Sequence, residues 1–168
     1  MPRVAPDRRI RGVFQRRARH DLRSGHFRHP LRHPAPATFL LVLQSMTEIN
    51  DLTGRIIGCA IEVHRVLGPG LQERSYEAAM GIELARSDIG FKRQVSVPVT
   101  YRGEWIGDYR IDIVVEDLVI LEIKSVERRD PLFEAQVIAY LRASGKRVGL
   151  LINFNSHLLS HGIRRLIV

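Results

Sequence analysis

The chain of 168 residues has a single cysteine. One thiol permits no internal disulfide, and the composition fits a reducing cytoplasm. Cys59 falls inside a helical pattern, where buried packing is its expected role. Long apolar runs are also missing. Phe39–Leu43 is too short to span a membrane, and it follows a long basic stretch, unlike a secretory signal. No internal repeat is visible, which excludes a solenoid. Aromatic residues make up only 7% of the chain, and no row of base-sized platforms is evident. The net charge of +8 would point to nucleic acid if it were spread over the fold. It is not. Residues 1–45 hold ten Arg against two Asp, and residues 46–168 hold sixteen Lys and Arg against sixteen Asp and Glu. The body therefore lacks any excess charge.

The leader, residues 1–45, lacks apolar periodicity and is expected to be disordered. Its four histidines, His20, His26, His29 and His33, have no cysteine beside them and many arginines around them. That argues against a metal tract, because the arginines repel a cation. An Arg-rich, acid-poor leader also fits an organelle transit peptide. The simpler expectation is that organised sequence starts at "MTEIND", with Met46 as the true start and 46–168 as one domain.

A period of three and four in "NDLTGRIIGCAIEVHRVLGPG" predicts a helix capped by Asn50, Asp51 or Thr53 and stopped at Gly68-Pro69-Gly70. A second helix is predicted in "LQERSYEAAMGIELARSDIG". "FKRQVSVPVTYRG" alternates like a strand, and Pro98 marks an edge or a bulge. "EWIGDYRIDIVVED" and "LVILEIKSV" are further strands, with a turn at Glu116-Asp117. "DPLFEAQVIAYLRASG" is a helix capped by Asp130, with Pro131 at its first position and Gly145 at its end. "RVGLLINF" is a strand buried on both faces. The tail holds a turn and room for a short terminal strand. The order α-α-β-β-β-α-β predicts an α/β layered domain.

One strand needs explanation. "LVILEIKS", 118–125, is apolar yet carries Glu122 and Lys124 on one face. Burying either charge alone is expensive. Either they simply pair with each other, or they serve a polar site. Asp112 lies on the preceding strand, and Glu73 lies in the first turn of the second helix. Three carboxylates and a lysine suit a hard cation such as magnesium, which takes oxygen ligands. The lysine would orient water and offset charge on a phosphoryl group. A shared ion requires Asp112 opposite Glu122. A two-residue turn at 116–117 would put them on opposite faces, so a three-residue loop 116–118 or a bulge is expected.

Asp112…Glu122-Ile123-Lys124 resembles the D…ExK signature of the PD-(D/E)XK nuclease superfamily. Gly70-Leu71-Gln72-Glu73-Arg74-Ser75-Tyr76 is similar to the pattern that names its GxxExxY family, and the likeness covers nearly all of 46–168. Ile111 stands where the superfamily often has proline. The resemblance implies a restriction-endonuclease-like core with a mixed four-stranded sheet flanked by helices. It implies a nuclease acting on nucleic acid, DNA above all, with Mg2+ or Mn2+ held by Asp112, Glu122 and Glu73. Lys124 would assist the attacking water. Gln136 and Tyr140, spaced as in RecB-type relatives, would touch substrate or brace the site, and the resemblance hints at the same for His64.

Plainer readings stand beside these. Glu73 fits a helix dipole, His64 a C-terminal cap, and Gln136 and Tyr140 one ordinary helix face. The paired basic residues Lys92-Arg93, Arg128-Arg129, Lys146-Arg147 and Arg164-Arg165 would contact phosphate only if they gather in space. The rival functions are a non-catalytic module that keeps the fold to bind nucleic acid or protein, and a phosphohydrolase acting on small phosphates.

Overall fold

Helix α1 runs from Pro36 to Leu67 in the computed structural model, which describes residues 36–168. Leu52, Ile56, Cys59, Ala60 and Val63 form its buried stripe. It stops where Gly68 takes a φ of +66°, a conformation glycine adopts without strain. Its start lies upstream of the expected one. No Gly or Pro occurs between Ala37 and Thr53, so nothing halts helix propagation at Asn50. The three expected caps are consequently interior residues. Thr53 Oγ1 donates back to Asn50 O at 2.8 Å, and Asn50 Oδ1 accepts from Arg165 at 2.6 Å. Residues 36–45, assigned to the leader from their composition, belong to this helix, with Phe39–Leu43 exposed. Residues 1–35, including the four leader histidines, lie outside the described residues.

Helix α2, Glu73–Arg86, follows a tight loop. Tyr76 holds that loop. Its hydroxyl donates to Gly68 O at 2.7 Å and accepts from Leu71 N at 3.1 Å, and its ring stacks on Phe154 at 4.5 Å. Tyr76 is wholly buried, so its place in the motif is structural.

The strands are β1 (Phe91–Tyr101), β2 (Glu104–Val115), β3 (Val119–Lys124), β4 (Val148–Asn153) and β5 (Ile163–Ile167), with α3 (Pro131–Ser144) between β3 and β4 and the single turn α4 (Leu159–Gly162) before β5. They form one mixed sheet in the order β1-β2-β3-β4-β5. Only β3 and β4 are parallel, joined through α3 as a parallel pair requires. The sheet has five strands, one more than expected. The turn α4 reverses the chain after β4, and the tail then pairs antiparallel with it. Glycine is required in that reversal, because a Cβ at Gly162 would collide with Asn153 O. Pro98 lies on β1, an edge strand, next to a register shift at Val99/Thr100.

Helix α3 begins and ends as its sequence predicts. Asp130 accepts from Leu132 N at 2.9 Å, and Gly145 has a φ of +69°. Helices α1 and α2 cover one face of the sheet over Ile113, Val115, Leu121, Ile123, Leu150 and Ile152. Helix α3 covers the other over Val114, Ile120 and Leu151.

The β2–β3 connection fixes the register. Glu116 and Asp117 have φ of +48° and +56°, the signature of a type I′ turn, and Leu118 N donates to Val115 O at 2.9 Å. Leu118 is then an extra residue, so Val115 pairs with Val119, Val114 with Ile120 and Ile113 with Leu121. Continued one step, this sets Asp112 opposite Glu122, as a shared site requires. Asp tolerates positive φ better than most residues, but Glu is not at ease there. The turn is held from both sides. Glu116 N donates to Gly90 O at 2.8 Å, its carboxylate accepts from Gly90 N at 2.6 Å, and Lys146 Nζ reaches Asp117 at 2.8 Å.

Candidate active site

Strand β3 sends Leu121 and Ile123 into the α1–α2 core and turns Glu122 and Lys124 toward α3. Glu122 is 3% exposed. Its Oε1 accepts from Lys124 Nζ at 2.6 Å. Its Oε2 is buried and has no hydrogen-bond partner among the described residues. A carboxylate oxygen in that state costs about 1–3 kcal/mol of lost hydration or more, so its retention calls for a further partner. Lys124 Nζ also sits 5.1 Å from the centre of the Phe133 ring.

Asp112 occupies a break in strand alternation. Ile111 and Ile113 would share a face of a regular strand. Here Ile111 packs under α3 and Ile113 under α1 and α2. The strand therefore switches faces at Asp112. At the same point β2 and β3 part, and Asp112 Oδ2 fills the gap by accepting from Ile123 N at 2.9 Å.

The electrostatics follow from this crowding. Burial, aided by the Asp112 charge, pushes the Glu122 carboxyl up to about 7 against the pull of Lys124. Burial also raises Asp112, although the Ile123 N–H and Lys124 favour its charge. Burial works against the Lys124 ammonium, but its bond to Glu122 together with the charges of Glu122, Glu73 and Asp112 outweighs this and raises its pKa. Ionising both carboxyls at once would put more negative charge in this buried spot than one lysine neutralises.

Of the residues singled out from sequence, Asp112, Glu122 and Lys124 come together. Gln136 and Tyr140 lie over them from α3, with Gln136 Nε2 donating to the Tyr140 hydroxyl. Burial and the Glu122 charge raise the Tyr140 pKa. Glu73 is placed differently from a direct third ligand. Its Oε1 accepts from Ser125 N at 3.1 Å, just past Lys124, and Ser125 Oγ donates to Leu71 O. Among the described residues no three His, Cys, Asp or Glu side chains are gathered closely enough to hold an ion together. Glu73 instead lines an open groove of about 660 Å³ with Gly70–Arg74, Ser125, Glu127 and Asn155. His64 Nε2 is 2.7 Å from Ser156 O, tying α1 to the loop after β4.

The basic pairs divide. Arg93 pairs with Glu77 and Lys146 with Asp117. Arg129 and Arg164 lie with Lys124, Phe133 and Asn153 around a small cleft. Two residues were missed in the sequence. Asn153, beside Lys124 in the parallel ladder, bonds Val126 N and Val126 O. A lone amide in "LLINF" was its signal. Buried Glu77 sits one turn after Glu73, where the i, i+4 spacing of two carboxylates was the signal.

The two carboxylates, one with a bare oxygen, are hard oxygen donors of the kind a divalent cation takes. Among the described residues, no helix is long and apolar enough to cross a membrane. Against known families, residues 50–166 match the model of the PD-(D/E)XK nuclease superfamily. No curated protein and no solved structure matches the chain.

Proposed function

The chain belongs to the PD-(D/E)XK nuclease superfamily, and we propose that residues 46–168 form a metal-dependent nuclease of the GxxExxY branch that hydrolyses phosphodiester bonds of DNA. The observation that carries this reading is the bare, buried Oε2 of Glu122 beside Asp112, with Lys124 on the same strand face. Asp112 and Glu122 would hold magnesium or manganese, and Glu73 would reach it through water. The ion would supply charge to polarise the scissile phosphate and acidify water.

The remaining work belongs to the chain. Lys124 keeps its proton at neutral pH and donates to the attacking water and to a non-bridging phosphate oxygen. Water attacks phosphorus in line with the leaving oxygen. Gln136 and Tyr140 brace the carboxylates from α3. Arg129 and Arg164, beside Lys124, take neighbouring phosphates. The single cysteine favours a cytoplasmic setting.

The test is cleavage of single-stranded and double-stranded DNA and RNA by the purified chain, with magnesium and with chelator. The expected result is magnesium-dependent cleavage of DNA. If no nucleic acid is cut while magnesium still raises the melting temperature, the binding-module reading takes its place.

A further inference from the structure

The face switch at Asp112 has a counterpart on the neighbouring strand. In the β1–β2 ladder Arg93 pairs with Ile113 and Val95 with Ile111, which sets Gln94 opposite Asp112. Gln94 has a φ of +53°, a conformation a non-glycine residue avoids unless held. What holds it is helix α2. Gln94 Nε2 donates to Glu77 Oε2 at 2.8 Å, and Arg93 Nε donates to Glu77 Oε1 at 2.9 Å. Glu77 is 7% exposed and spends both oxygens on two successive residues of β1. In a regular strand Arg93 and Gln94 would point to opposite faces. Here both reach the same carboxylate. Strand β1 comes close enough for this because α2 has Gly81 one turn after Glu77. A Cβ there would press on the Phe91 ring at 3.3 Å.

We propose that Glu77, through Arg93 and Gln94, is the positioning residue for Asp112: it clamps the crossover that turns Asp112 out of the ladder and onto Ile123 N–H beside Glu122. The clamp accounts for three facts together: a buried glutamate, a strained glutamine, and an aspartate whose neighbours face opposite cores. What Asp112 is positioned for rests on the nuclease reading, whereas the clamp itself does not.

The experiment is amide hydrogen exchange of the full chain, without metal. Ile123 N–H reports the bond to Asp112 Oδ2, and Leu121 and Leu150 report the core. An Asp112→Ala variant calibrates loss of the bond. Glu77→Gln keeps the shape but cannot accept from both Arg93 and Gln94. Gln94→Gly tolerates positive φ and removes the anchor alone. Both variants are expected to lose about tenfold or more of the protection at Ile123, with Leu121 and Leu150 unchanged. Unchanged Ile123 protection in Gln94→Gly overturns the proposal, as does an equal loss at all three amides. If Glu77→Gln does not fold, Gln94→Gly decides alone. An inactive wild type would sink the nuclease reading and leave the exchange result standing.

Discussion

On the proposed nuclease reading, replacing Lys124 by alanine is expected to lower DNA cleavage by on the order of a thousandfold, yet to leave magnesium-dependent stabilisation in place. Among the described residues the ammonium is the one cation bonded to Glu122, and the bond is short, at 2.6 Å. Without it, Oε1 joins Oε2 as a buried oxygen without a donor, and the carboxyl holds its proton more tightly. Metal then competes with a proton, so stabilisation is best read on the alkaline side of neutrality, where the carboxyl is ionised again. The proposed chemistry has no such rescue, because on that reading a donor aimed at the developing phosphoryl charge has gone. Arginine does not substitute, since its planar fork spreads the charge that Lys124 places as a point over the Phe133 ring. Cleavage rates and melting temperatures with and without magnesium separate these effects. Activity within a few-fold of wild type would remove Lys124 from the mechanism.

In the absence of divalent cations, the protein loses stability as pH rises from about 4.5 to about 7. The Glu122 carboxyl lies near 7 in the fold against an ordinary 4.5. A carboxyl whose folded pKa is raised binds more protons folded than unfolded. Its contribution is therefore complete below 4.5 and lost as pH passes the folded value. Two to three pH units correspond to about 3 kcal/mol. Asp112 is raised too and acts in the same direction. If Glu122 and Asp112 hold magnesium as proposed, saturating ion is expected to flatten the profile, since an ion at a hundredfold over its Kd returns about 2.7 kcal/mol. Glu122→Gln is expected to flatten it without any ion, because the residue at 122 no longer titrates. Urea unfolding across this pH range in chelator reads the slope. A level profile for the wild type would mean that Glu122 is not strained by its burial.

Much of this arrangement was legible in the sequence where the signals are local. Asp130, Pro131 and Gly145 marked both ends of α3, because capping depends on a few adjacent residues. The Asp112–Glu122 register followed from counting faces, and the extra residue it required is Leu118. The start of α1 was missed because Asn50 and Thr53 are cap formers only if the chain stops there, and no breaker precedes them. Strand β5 was left out of the sheet because "IRRLI" pairs with β4 through a reversal set by Gly162, which strand periodicity does not encode. The face switch was invisible for a related reason. Glutamine is not a residue that marks positive φ, and the glutamate that holds it lies on another helix. Glu73 was read from its motif as a third ligand, direct or through water; its bond to Ser125 N, which ties α2 to the exit of β3, could not be read from the motif, because the two residues are far apart in sequence.

Leu118 carries a consequence for how this gene can change. Its side chain is 45% exposed at the tip of a surface turn, a setting where insertions and deletions usually do little harm. Almost any residue type would be tolerated there. A change in length would not, because removing or adding one residue reverses which face of the sheet Glu122 presents relative to Asp112. Mutational drift at this turn is thus free in spelling and closed in length, and the spacing between Asp112 and Glu122 is inherited as a parity.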